Sequence, residues 1–68
     1  MSLEQDPFIV EIRAKINDEI ERITEWLADG KAPTIEEYRK QTGKIIGFRA
    51  SLILIDECIK NYMKDEDG

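Results

Sequence analysis

The 68-residue sequence contains no histidine and a single cysteine, Cys58. Without a second cysteine no intrachain disulfide can form, and without histidine the usual mixed cysteine–histidine zinc sites cannot be assembled. The lone thiol also has no imidazole to activate it as a nucleophile. We therefore predict that the protein is not an enzyme, needs no metal or cofactor, and keeps Cys58 reduced in the cytoplasm.

Long apolar runs and positive charge are also scarce. The apolar segment Ile45–Ile55 is interrupted by Gly47 and Arg49, and it falls short of the roughly 20 residues that a bilayer requires. The first residues, M-S-L-E-Q-D-P, have no basic stretch before an apolar one, so no secretory signal is expected. The net charge of −5 disfavours binding to a nucleic-acid backbone, which depends on lysine and arginine. We expect neither a membrane nor a nucleic acid as a partner.

The chain is instead rich in the two residue classes that build amphipathic helices. It is 41% hydrophobic and 37% charged, a balance typical of one folded domain rather than a disordered chain. A domain of this size buries only about 60% of its unfolded surface. Because disulfides and metals are excluded, oligomerisation is the remaining source of additional stability.

A first helix is predicted over residues 7–28, after a disordered N-terminus at residues 1–5. Asp6 is a favourable N-cap, and Pro7 is well tolerated at the first helical position. Gly30 supplies the left-handed residue at which helices commonly end. Six aliphatic residues recur at steps of three and four and form one face: Ile9, Ile12, Ile16, Ile20, Ile23 and Leu27. The opposite face carries two charge pairs at i,i+4 spacing: Glu11 with Lys15, and Asp18 with Arg22.

A second helix is predicted over residues 35–63, followed by an acidic tail at 64–68. It begins at a capping box formed by Thr34 and Glu37. Its apolar stripe has the spacing of a coiled coil and comprises Tyr38, Ile45, Phe48, Leu52, Ile55, Ile59 and Tyr62. The short turn at residues 29–34 favours antiparallel packing. We therefore predict an all-α fold, an antiparallel helical hairpin with unequal arms.

Helix two carries more apolar surface than one companion helix can cover. Several of its aliphatic side chains lie off the main stripe, and each would forfeit about 1.5–3 kcal/mol if left in water. We therefore predict that the hairpin completes a helical bundle by forming a homodimer or higher oligomer, or docks on a larger protein. The predicted interface residues are Phe8, Ile46, Gly47, Ala50, Ile53 and Leu54.

Two features of helix two have alternative interpretations. Gly43 and Gly47 lie one turn apart and leave a notch in the surface of helix two, because glycine has no side chain. Either another copy of the chain packs closely at this notch, or Trp26 or an isoleucine of helix one fills it. Arg49 could form an ion pair with Asp56 or with a carboxylate of another protomer. Alternatively, its aliphatic carbons lie along apolar surface and its guanidinium group is in water. The sequence leaves both questions open.

The segment I-R-A-K-I-N-D-E-I-E-R-I resembles the opening helix of the helical chorismate mutases. In that family an active-site arginine stands at the position of Arg13. The later basic active-site residues of the family have no counterpart in this chain. The prediction that the protein is not an enzyme is therefore unchanged.

The succession D-P-F-I-V-E-I-R, D-G-K and E-Y-R-K-Q-T-G-K-I-I-G-F resembles small helical proteins of tailed bacteriophages, over residues 6 to about 63. The resemblance implies a viral origin and a place in the host cytoplasm or in the virion, and it implies no site residues. We therefore predict a non-enzymatic interaction or assembly module, a small structural or accessory phage protein. The alternative is an early phage effector that binds and inhibits a host protein.

Overall fold

The protein folds into two helices joined by a short turn, in a computed structural model that describes the backbone of residues 3–67 and the side chains of residues 3–64. A 3-10 turn at Leu3–Gln5 precedes α1, Pro7–Ala28, and α2, Ile35–Asp67. Ile23 of α1 lies near Phe48 of α2, and the start of α1 lies near the end of α2. The predicted all-α hairpin with unequal arms is confirmed.

Local signals place both ends of α1. The Asp6 carboxylate accepts a hydrogen bond from the Phe8 N–H at 2.9 Å, as expected of an N-cap. At the other end, Gly30 has a φ of 71°. Its N–H donates to the Leu27 carbonyl at 3.0 Å, and the Lys31 N–H donates to the Trp26 carbonyl at 3.4 Å. This pair of bonds is a Schellman motif, so α1 ends where glycine alone is unstrained.

The start of α2 confirms half of the predicted capping box. The Glu37 N–H donates to the Thr34 hydroxyl oxygen at 3.1 Å. The Glu37 side chain does not return to the Thr34 N–H; it accepts a hydrogen bond from the Gln41 amide at 2.9 Å. Residues one turn apart lie side by side on a helix, so Gln41 competes with the cap for this carboxylate.

The structure differs from the prediction at both ends of the chain. Residues 1–5 were predicted to be disordered, yet Leu3–Gln5 forms a 3-10 turn, with the Asp6 N–H donating to the Leu3 carbonyl at 3.0 Å. Leu3 is half-buried, which gives the turn an apolar anchor. The predicted tail at 64–68 is helical through Asp67, because no glycine or proline interrupts residues 64–67. Residues 1, 2 and 68 lie outside the described residues.

The core is a thin seam between the helices. Its buried residues are Ile23, Ile45 and Ile59, with 5%, 9% and 3% of their surfaces exposed. The other five residues of the α1 stripe are half-buried. Tyr38 and Tyr62, the two ends of the α2 stripe, are exposed. A single companion helix therefore covers the middle of α2 and leaves the ends of its stripe open.

The molecule is elongated and exposes a large surface for its mass. The chain measures 52 × 19 × 12 Å, and its radius of gyration is 15.7 Å, compared with about 11 Å for a compact domain of this length. Its accessible surface is 5516 Å², compared with about 4400 Å² for a typical folded monomer of this mass. About 1100 Å² of additional surface is exposed.

Two glycine-to-alanine substitutions should shift stability in opposite directions. Gly30→Ala places a side chain at positive φ and should lower the free energy of unfolding by about 1 kcal/mol. Gly43→Ala lies inside α2 in open space and should raise it by about 1 kcal/mol through helix propensity. Urea denaturation at low protein concentration measures both. A Gly30→Ala variant as stable as the wild type would contradict the positive φ at Gly30, and a destabilised Gly43→Ala variant would contradict the open helical position of Gly43.

Candidate interaction surface

An exposed apolar surface lies on α2, on the side of the helix that faces away from the seam with α1. We define this outer face by Gly43, Ile46, Gly47, Ala50, Ile53 and Leu54. Its three large aliphatic residues are Ile46, Ile53 and Leu54, and 62%, 59% and 58% of their surfaces are exposed. More than half of each of these side chains is exposed, although Leu54 also borders Leu3 and Ile9 at the open end of the hairpin. The structure therefore brings together five of the six predicted interface residues.

Phe8, the sixth predicted interface residue, lies elsewhere. It is exposed in the first turn of α1. Since α1 packs on the opposite side of α2, Phe8 is not part of the outer face. The sequence does not reveal this separation, because spacing within each helix does not fix how the two helices are rotated against each other.

The two glycines leave the backbone of the outer face open. A Cβ added at Gly43 or Gly47 would meet no atom within 4 Å, apart from chain neighbours and the local helix backbone. The interpretation in which Trp26 or an isoleucine of helix one fills this notch is therefore wrong. Trp26 instead lines a groove on the turn side of the hairpin, facing Phe48. Another backbone can approach α2 closely at these glycines.

An apolar groove of about 350 Å³ adjoins the outer face at the open end of the hairpin. Leu54 belongs to both surfaces. The groove lies between the 3-10 turn, α1 and the last turns of α2, and its lining residues are Leu3, Ile9, Leu54, Ile55, Cys58, Ile59 and Tyr62. The prediction missed this groove because it treated Leu3 as part of a disordered segment. Exposed apolar surface thus continues from Ile46 past Leu54 to Tyr62.

An ion pair between the helices lies at the side of the seam. The Arg13 guanidinium donates a hydrogen bond to the Asp56 carboxylate. Asp56 therefore pairs with Arg13 and not with Arg49, because α1 lies beside Asp56 while Arg49 is exposed. Both side chains of the pair are partly exposed, so the pair contributes no more than about 1 kcal/mol. In the described part of the chain, Arg13 Nε has no hydrogen-bond partner.

The charge pairs along α1 are surface features. Lys15 Nζ lies 4.0 Å from Glu11 Oε1, as predicted. Arg22 pairs with Glu19 rather than with the predicted Asp18, because spacings of three and four residues both bring side chains together on a helix. The hydrogen bond to Glu19 raises the pKa of the Arg22 guanidinium above its ordinary value. An arginine is protonated at neutral pH in any case, so this shift leaves the charge of Arg22 unchanged there.

The described residues show no arrangement that would support metal chemistry. Among them, no three histidine, cysteine, aspartate or glutamate side chains are grouped closely enough to hold a metal ion. None of the helices in the same part of the chain has the length and apolar character needed to cross a membrane. What the geometry does present is an apolar helix face with open backbone beside an apolar groove.

No protein-family model, curated protein sequence or solved structure matches the chain. The outer face must therefore be interpreted from its own chemistry.

Proposed function

We propose that the protein is a non-enzymatic interaction module that assembles through the outer face of α2. The observation that carries this proposal is the cluster of Ile46, Ile53 and Leu54, each about 60% exposed within little more than two helical turns. Single exposed aliphatic residues are normal on protein surfaces. Three on one side of a helix, beside an open backbone and an apolar groove, form a contiguous patch of the kind that marks an interface.

The free energy available from burying the outer face favours an interface over a neutral surface. Burying the exposed part of one such side chain releases about 1–2 kcal/mol. A domain of 68 residues has a free energy of unfolding of only about 3–10 kcal/mol. A second protein that covers the outer face would therefore contribute a stabilisation comparable with the free energy of unfolding of the whole hairpin.

Within this class, the resemblance to small proteins of tailed bacteriophages supports a structural or accessory role in a phage particle. The outer face would then be the surface by which the protein joins the particle. An early effector that inhibits a host protein would use the same kind of surface, but it would be absent from particles. The two roles are therefore separated by where the protein is found.

Quantitative mass spectrometry of purified particles tests this proposal. The wild-type protein should be present at a fixed copy number, and Ile53→Glu should remove it because a carboxylate would be buried at the contact. Val10→Glu is the matched control, since Val10 is an exposed aliphatic residue on α1, and it should leave the copy number unchanged. Absence of the wild-type protein from particles would contradict the structural role. Unchanged incorporation of Ile53→Glu would contradict the role of the outer face.

A further inference from the structure

We infer that the partner of the outer face is a second copy of the same chain, bound with its α2 antiparallel about a two-fold axis at Ala50. This inference rests on the proposed function, because it names the partner of the same surface. It follows from three properties of α2: the arrangement of large and small residues about Ala50, the distribution of charge along the helix, and the area that the helix offers.

The first property is self-complementarity. In a two-fold contact the same surface is used by both copies, so residues equally distant from the axis along the helix lie at the same height across the contact. With the axis at Ala50, Ile46 lies level with Leu54 of the second copy, and Gly47 lies level with Ile53 of the second copy. Apart from its chain neighbours and the local helix backbone, no atom lies within 4 Å of a Cβ built at Gly47, so the hairpin leaves room there for a side chain of the second copy. Each large aliphatic residue of the face then lies level with an aliphatic residue or a glycine.

The second property is charge, and it selects the antiparallel orientation. The first half of α2, residues 35–50, contains four basic and two acidic residues, whereas the second half, residues 51–67, contains five acidic and two basic residues. An antiparallel pair places the basic half of each α2 against the acidic half of the other, which is favourable. A parallel pair would place like charges together along the whole contact, which is unfavourable. Arg39 and Glu57, both exposed, flank the outer face with opposite charge.

The third property is area. The 33 residues of α2 give a helix about 50 Å long, so a contact strip about 10 Å wide covers about 500 Å² on each copy. The total of about 1000 Å² is at the lower end of specific interfaces. The share of each copy, about 500 Å², is about half of the surface of about 1100 Å² that one hairpin exposes beyond a typical monomer. The dimer should therefore form and dissociate with protein concentration in the micromolar range.

Disulfide trapping between two single-cysteine chains tests the orientation. Both chains carry Cys58→Ser, because the native thiol is exposed. One chain carries Ile46→Cys, and the other carries Leu54→Cys and is labelled with nitrogen-15 so that products differ in mass. The chains are mixed equally in a glutathione redox buffer. The heterotypic product should exceed the homotypic products by about tenfold, which corresponds to an orientational preference of about 1.4 kcal/mol.

The controls and the remaining outcomes decide the inference. A Val10→Cys chain should cross-link to either partner no more than it does in concentrated urea. An excess of homotypic products would show parallel pairing and overturn the antiparallel arrangement. Cross-linking no greater than in urea for every pair would show that a second copy does not occupy the face. In that case, loss of Ile53→Glu from particles would still support the interaction module, so the two failures are distinguishable.

Discussion

Replacing Ile59 by alanine should lower the free energy of unfolding by about 3 kcal/mol, within the range of about 2–5 kcal/mol for buried aliphatic residues. Ile59 is only 3% exposed and is the most buried of the core residues. It also forms part of the wall of the apolar groove, so its removal joins a new cavity to an existing one. Since a domain this small has a free energy of unfolding of only about 3–10 kcal/mol, the variant should be close to unfolded. Urea denaturation followed by circular dichroism at low protein concentration measures the loss.

Ile53→Ala provides the matched control, because it makes the same chemical change in the same helix. Ile53 is 59% exposed, and alanine has the higher helix propensity, so the substitution should cost less than about 1 kcal/mol in the dilute monomer. Equal losses for the two variants would contradict the assignment of Ile59 to the core and Ile53 to the surface.

Replacing Ile53 by glutamate should weaken self-association by at least about 100-fold. In the proposed two-fold contact, each substitution removes two apolar contacts of about 1.5 kcal/mol and places two carboxylates at the interface. Sedimentation equilibrium over a concentration series measures the dissociation constant. Circular dichroism of the dilute variant should show unchanged helix content, since Ile53 is exposed in the monomer.

Val10→Glu makes a similar change at an exposed position of α1, where an acidic residue near the helix N-terminus is tolerated. It should leave the dissociation constant within about twofold of the wild-type value. Similar weakening by both substitutions would mean that added negative charge, and not the outer face, controls association.

The helices were predictable because their signals are local. Asp6, Gly30 and Thr34 each satisfy the hydrogen-bonding or conformational needs of a helix end within a few residues. The apolar stripe of α1 is likewise predicted by the spacing of its aliphatic residues along one helix. These features placed both helix starts, the end of α1 and the hairpin without reference to the rest of the fold.

The features that escaped prediction depend on how the two helices are rotated against each other, or on the absence of a local signal. The pairing of Asp56 with Arg13 joins residues 43 positions apart, and no spacing rule reaches that far. The separation of Phe8 from the outer face has the same origin. The far end of α2 was misplaced because no glycine or proline follows Met63 before Gly68.

Part of the candidate surface could also be read from the sequence. Ile46, Ile53 and Leu54 lie off the main stripe, and all three are exposed. The sequence could not decide whether the notch at Gly43 and Gly47 was filled from within the hairpin, since that depends on the path of α1. The structure shows this notch to be open.

We propose that the hairpin is half of a larger helical assembly formed through the outer face of α2. The molar mass of the wild-type protein, measured by sedimentation equilibrium from low micromolar to millimolar concentration, tests it most directly. We expect the mass to rise from 7.9 kDa to twice that value, with a midpoint in the micromolar range. A mass that stays at 7.9 kDa over the whole range would contradict self-assembly through this face.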